Sequence, residues 1–121
     1  KEIDAEEFRI VFTGTYSSGK SSTINALLGR NILPTASGTC TAKICRIIHS
    51  SVKDGVAIVK YLPDAKQKKY VCKTDEEVQD KIQCAGDAIE TIEVYTDLSN
   101  LYPDGVEKDF RLVVIDTPWY R

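Results

Sequence analysis

The sequence predicts an α/β fold, with a central, mostly parallel sheet that also carries an antiparallel hairpin. Two apolar, β-branched runs, FRIVFTG from Phe8 to Gly14 and FRLVVID from Phe110 to Asp116, read as parallel strands buried on both faces. Between them Ile24, Leu27 and Leu28 recur at helical spacing and supply the crossover that parallel strands need. With 121 residues, 42% hydrophobic and 28% charged, the chain fits one globular unit spanning residues 1–121.

Each element follows from a local signal. After the first strand comes a glycine loop, then a helix with Ser21 and Ser22 in its opening turn and Gly29 placed to stop it. Residues 29–42 have loop composition, rich in Gly, Ser, Thr and Pro. KICRIIHS and GVAIVKYL are β-type runs joined across Asp54-Gly55, which predicts an antiparallel hairpin between them, and KYVCK adds a short third strand. Thr74 and Glu77 have capping-box spacing and open a short amphipathic helix through Val78, Ile82 and Ala85, ending near Gly86. AIETIEVYT favours a strand, and the Pro103-Asp104-Gly105 segment is a turn before the last strand.

Composition excludes several functions. The net charge is −2, so there is no global basic field to hold nucleic acid. No apolar run reaches the roughly 18 residues of a spanning helix, and KEIDAEE lacks the basic start and apolar stretch of a signal peptide, so a cytoplasmic location is expected. Cys40, Cys45, Cys72 and Cys84 stand singly beside one histidine, His49, which argues against a zinc site. The cysteines read as small buried or half-buried hydrophobes, His49 as a structural residue, and DAKQKKY as a solvated turn.

The chemistry is concentrated at Gly14-Thr15-Tyr16-Ser17-Ser18-Gly19-Lys20-Ser21, which matches GxxxxGK[ST] between a strand and a helix. A chain that wraps backbone N–H groups around phosphate oxygens needs Gly14 and Gly19 where a side chain would obstruct. The amides of Tyr16, Ser17, Ser18 and the residues that follow, through Ser22, line this cradle. Lys20 brings a compact ammonium to the outer phosphates, the Ser21 hydroxyl can ligate Mg²⁺, and the helix adds its partly positive N-terminus. Asp116, ending the second buried strand, is placed to bind the same Mg²⁺ through a water. A nucleotide switch also needs a segment whose threonine senses the terminal phosphate, and Thr35, Thr39 and Thr41 are the candidates.

GTYSSGKSSTINALLGRNILPTASGTCTAKICRI, together with LVVIDTP, resembles the GTPase domain of the dynamin superfamily, particularly bacterial dynamin-like proteins and mitofusin-type GTPases. The SSGKSSxINALLG core and the LP after it are more specific than a bare phosphate loop. The resemblance covers roughly residues 8–48 and 110–118 well and implies a P-loop NTPase three-layer sandwich, of which this chain is the N-terminal part of the G domain. It further implies GTP as substrate, Mg²⁺ as cofactor, and a homodimer formed across the nucleotide face. Hydrolysis would be coupled to membrane remodelling or tethering by regions outside this chain, with the protein peripheral at a membrane. Thr41-Ala42 matches the family's first-switch TA pair, making Thr41 the Mg²⁺-contacting and water-orienting residue. Ser17 and Tyr16 stand where family members place assisting groups, and Tyr16 is neither Gln nor Arg. Catalytic weight therefore falls on Lys20, Thr41 and Ser17, and metal binding on Ser21, Thr41 and Asp116.

Two departures accompany the resemblance. Trp119 replaces the glycine of the DTPG second switch, and the guanine-selecting [NT]KxD motif is absent, as expected of a fragment of a longer GTPase. The phosphate loop alone also admits an ATPase or small-molecule kinase, and the departures admit a non-hydrolysing interaction module.

Overall fold

Strands far apart in sequence build the frame. The computed structural model describes residues 6–13, 17–35, 43–64, 66, 68–86, 88–104 and 110–117. Its elements are β1 (Glu6–Phe12), α1 (Ser17–Leu28), β2 (Ile44–His49), β3 (Ala57–Leu62), β4 (Lys69–Cys72), α2 (Asp75–Gln83), β5 (Thr91–Thr96), a 3-10 turn at Ser99–Leu101 and β6 (Phe110–Asp116).

The strands form one six-stranded sheet in the order β1-β6-β2-β5-β3-β4. β1 runs parallel to β6 with Phe12 opposite Asp116, and β2 runs parallel to β5. The pairings of β2 with β6, β3 with β5 and β3 with β4 are antiparallel, so the sheet of the expected α/β fold is mixed.

The hairpin expected between β2 and β3 does not form. β5 inserts between them, and the hairpin is β3–β4. β5 suits the inner position because Ile92, Val94 and Thr96 are all buried, and β2 and β3 each bond one of its edges. Gly55 serves a close approach rather than a two-residue turn: a Cβ there would lie 2.3 Å from the Cys72 carbonyl oxygen. That carbonyl accepts a hydrogen bond from the neighbouring Val56 N–H at 2.8 Å.

β1 also departs from expectation. It is the outermost strand beside β6, and Phe8 and Val11 are 56% and 52% exposed, because one side of the strand has no partner among the described residues. β6 takes the doubly buried role, with Leu112, Val113 and Val114 all inside.

One face of the sheet carries the core. Cys45, Ile47, Ala57, Val59, Ile92, Val94, Leu112 and Val114 pack with Ile24 and Leu28 of α1, Ile32 and Leu33 beyond it, and Val78 and Ile82 of α2. Each fully buried aliphatic side chain contributes roughly 1.5–3 kcal/mol. α1 begins at Ser17, a full turn earlier than the opening expected at Ser21 and Ser22. It ends as expected at Gly29, whose φ of 71° is the left-handed geometry glycine favours. Arg30 N–H donates to the Asn25 carbonyl and Gly29 N–H to that of Ala26, the Schellman pattern. α2 opens on Thr74, whose hydroxyl accepts from Glu77 N–H at 3.2 Å, while the Glu77 carboxylate accepts from Lys73 N–H at 2.6 Å. Between β3 and β4, in the basic DAKQKKY segment, Asp64 accepts from the N–H groups of Lys66 and Lys68.

Candidate functional site

β1 and β6 end at the same level, just before the glycine-rich segment that the sequence places after β1. Phe12 and Asp116 are register partners, and Thr117 ties the two strand ends together by donating its N–H and its hydroxyl to the Phe12 carbonyl, at 3.0 and 3.1 Å. Residues outside the carboxyl ends of parallel strands are where open α/β sheets place ligands. From the other side Cys45, the antiparallel partner of Asp116, closes the strand end with a buried thiol. Burial pushes that thiol well above its ordinary range, and the Asp116 carboxylate pushes it the same way, so it stays protonated.

Lys20 reaches across from α1 to this strand end. Its ammonium lies 2.9 Å from Asp116 Oδ1 and donates to the Thr117 carbonyl, with side chains only 7% and 18% exposed for Lys20 and Asp116. The approach to Asp116 is an ion pair by distance without hydrogen-bond alignment, since Asp116 Oδ1 is buried and accepts no hydrogen bond among the described residues. An orphaned carboxylate oxygen is the kind of acceptor a metal-bound water satisfies. Ser21, the next residue on α1, is buried and adds a hard hydroxyl oxygen, so the donor set fits Mg²⁺. Gly19 has no internal reason to be glycine: a Cβ there would meet nothing within 4 Å, and its φ lies outside the left-handed region. Ser22 follows Ser21 and is exposed.

The sequence-predicted residues divide accordingly. Lys20 and Asp116 are brought together, with Gly19, Ser21 and Ser22 on the same helix start; Ser17 and Ser18 open α1. Gly14, Tyr16, Thr39, Thr41 and Trp119 lie outside the described residues, as does Cys40. Thr35 is exposed and lines a shallow depression with Ser22 and Ala26 of α1. Of the remaining cysteines, Cys72 is buried as expected, but Cys84, just past α2, is exposed; Cys45, Cys72 and Cys84 are all free thiols. His49 is structural: Nδ1 accepts the Leu98 N–H at 2.9 Å and the ring packs 4.9 Å from that of Tyr102.

Sequence reasoning missed two contributors. Asn25, buried in the last turn of α1, holds the chain that follows: its carboxamide oxygen accepts from Ile32 and Leu33 N–H, and its NH₂ donates to the Leu33 carbonyl. An asparagine inside a helix has poor propensity, which was the available signal. Thr117 supplies a backbone acceptor to Lys20, which no side-chain pattern announces.

A cavity of about 980 Å³ lies elsewhere. Arg30, Asp75, Gln79 and Asp97 line it near the carboxyl end of β5, whereas Asp116 faces Cys45 at the start of β2, which runs parallel to β5. There Arg30 pairs with Asp75 at 2.8 Å and donates to the Thr96 hydroxyl at 2.7 Å, fixing the end of α1 to the start of α2.

The model of the Dynamin family matches residues 10–119. Mouse Dynamin-1-like protein is 44% identical over 48 residues, 38% of this chain and 6% of its own length. Dynamin-like protein A of Bacillus subtilis is 58% identical over 36 residues, 30% of this chain and 3% of its own length. Among solved structures, a chain of an oligomerised bacterial dynamin pair, described as a mechanism for long-range sensing and tethering of membranes, superposes with a TM-score of 0.58 at 20% identity. That match covers 96% of this chain and 17% of the other, and at this identity it shows the fold. The chain thus spans a small part of the relatives it matches. No helix among the described residues is long and apolar enough to cross a membrane.

Proposed function

We propose that this chain, which belongs to the dynamin family of GTPases, is the N-terminal part of a G domain that binds GTP with Mg²⁺ and takes part in its hydrolysis. The observation that carries the reading is the convergence of Lys20 and the orphaned Asp116 Oδ1 at the joined ends of β1 and β6. The amides of the loop from Gly14 through Ser18 and Gly19 cradle the phosphates, and the open space at Gly19 permits their approach. Lys20 then exchanges the Asp116 carboxylate for phosphate oxygens and opposes the charge that develops on the transferring group. Bound Mg²⁺ supplies charge neutralisation across the outer phosphates; Ser21 would ligate it directly, Asp116 through a water, and Thr41 as a further oxygen donor. Ser17 and Tyr16 assist from the loop, Ser22 completes the cradle, and Thr41 orients the attacking water.

In the longer protein we assign the same nucleotide face to a homodimer contact. Membrane remodelling or tethering is assigned to regions outside this chain, with the protein in the cytoplasm and peripheral at a membrane. The solved bacterial pair supports this assignment at the level of the family.

The deciding experiment titrates fluorescent GTP and ATP with Mg²⁺ and measures phosphate release, with Lys20→Ala as control. GTP binding and release lost in the variant support the reading. Equal release from both proteins overturns the hydrolase, and preference for ATP turns the assignment to an ATPase or kinase.

A further inference from the structure

The face of the sheet opposite the helices carries its own charge pattern. Arg46 pairs with Glu93 at 3.0 Å and lies 3.8 Å from Glu7, which pairs with Arg9, and the Tyr95 hydroxyl donates to Glu93 at 2.6 Å. Three cations on the same face stand outside this network. Lys60, Lys69 and Arg111 line a cavity of about 280 Å³ with Ser50, Ile58 and Tyr95, and none of the three forms an ion pair among the described residues.

Their placement is unfavourable for the chain by itself. Lys60 and Lys69 are direct cross-strand partners, and like charges directly opposite destabilise a sheet. On the other side Lys60 is register partner to Glu93, but both oxygens of that carboxylate are committed, one to Arg46 and one to Tyr95. Lys60 sits instead 5.9 Å from the Tyr95 ring centre. The sheet thus retains two adjacent ammonium groups and a guanidinium around an aromatic ring and an isoleucine; the neighbouring carboxylates, Glu93 beside Lys60 and Glu7 beside Arg111, are engaged by Arg46, Tyr95 and Arg9 and form no ion pair with the three among the described residues.

The trough has a direction. Arg111 is on β6, and in the order β6-β2-β5-β3-β4 the lysines are on β3 and β4. Through Glu93 and Arg46, Lys60 lies level with Ile115 of β6, four residues along that strand from Arg111, so with strands about 4.8 Å apart and about 3.3 Å per residue the Arg111 and Lys60 backbones are about 19 Å apart, roughly six residues of extended chain. Ile58 and Tyr95 give the middle an apolar floor. We propose that this trough docks an extended acidic peptide segment of a partner protein, about six residues long, with carboxylates at both ends and an apolar residue between. The terminal carboxylates would lie on Arg111 and on the Lys60–Lys69 pair, and the apolar side chain on Ile58 and Tyr95.

Fluorescence anisotropy with a labelled peptide GEELEEG tests this at physiological ionic strength, with GKKLKKG and GEEGEEG as comparisons. The acidic apolar peptide is expected to bind, the basic one not, and the glycine-centred one more weakly. Lys60→Gln with Lys69→Gln, and separately Arg111→Gln, each weaken binding about tenfold or more, as loss of charge-assisted contacts predicts. Arg111 is exposed, so its variant carries the test if the double variant melts early. Lys20→Ala binds the peptide like the parent, which separates this site from the nucleotide reading. Absence of binding, binding unchanged in the Gln variants, or retention on phosphatidylserine vesicles in place of the peptide overturns the proposal.

Discussion

Lys20 Nζ lies 2.9 Å from Asp116 Oδ1, across a strand end where both side chains are largely shielded from water. A buried pair is worth little net stability when intact, yet loss of one partner leaves an uncompensated charge. Lys20→Ala should therefore lower stability by about 2–4 kcal/mol while reducing GTP hydrolysis by about 100-fold or more. Chemical denaturation and phosphate release measure the two effects separately. A variant as stable as the parent would show that the ion pair carries no structural weight.

Asp116→Asn removes the charge that holds a metal-bound water but keeps the shape. The expected result is a protein whose GTP affinity no longer responds to Mg²⁺, whereas the parent binds more tightly with the ion present. Nucleotide titrations with and without EDTA decide it, and an unchanged Mg²⁺ response in the variant removes Asp116 from the metal site.

Asn25→Ala deprives Ile32 N–H, Leu33 N–H and the Leu33 carbonyl of their side-chain partner in a buried position. Unsatisfied buried groups of this kind cost 1–3 kcal/mol each without full additivity, so a loss of about 3 kcal/mol is expected in urea unfolding. A loss well below 1 kcal/mol would mean that water replaces the carboxamide.

Gly55→Ala would force a methyl against the Cys72 carbonyl oxygen, 2.3 Å from the ideal Cβ, and backbone cannot step aside as a side-chain tip does. The expected cost is about 1–3 kcal/mol, from displacement of β4. Amide hydrogen exchange should show faster exchange in the β3–β4 hairpin than in β6.

Tyr95 gives a pH signature. Burial, and then its hydrogen bond to Glu93 and that residue's charge, raise the phenol to about 12 from 10.0. Because the folded value lies above the unfolded one, this contribution is fully present below about pH 10 and is lost as pH rises toward 12. Ultraviolet titration of the parent against Tyr95→Phe should show one phenol ionising near pH 12. Ionisation of Tyr95 near pH 10 would contradict its burial on Glu93.

Much of the local structure was legible because its causes are local. The Thr74 to Glu77 cap and the Gly29 stop are decided by neighbours within one turn, and both occur as read. Asp54-Gly55 misled for the same reason: a turn dipeptide reports what the backbone tolerates, while the use made of Gly55 is contact with Cys72 far along the chain. Phe8–Phe12 has the same composition as β6, so sequence alone made both inner strands, although β1 lies at the edge.

The sequence by itself determined the phosphate-loop pattern, its place between a strand and a helix, and the kinship those residues carry, because each rests on residue type and short-range spacing. Tertiary structure alone decided that β5 separates β2 from β3, that Asn25 clamps Leu33, and that three cations gather on one face of the sheet. These are matters of strand order and register. They depend on which apolar face and which free edge remain when distant segments meet, and no short stretch of the chain encodes that by itself.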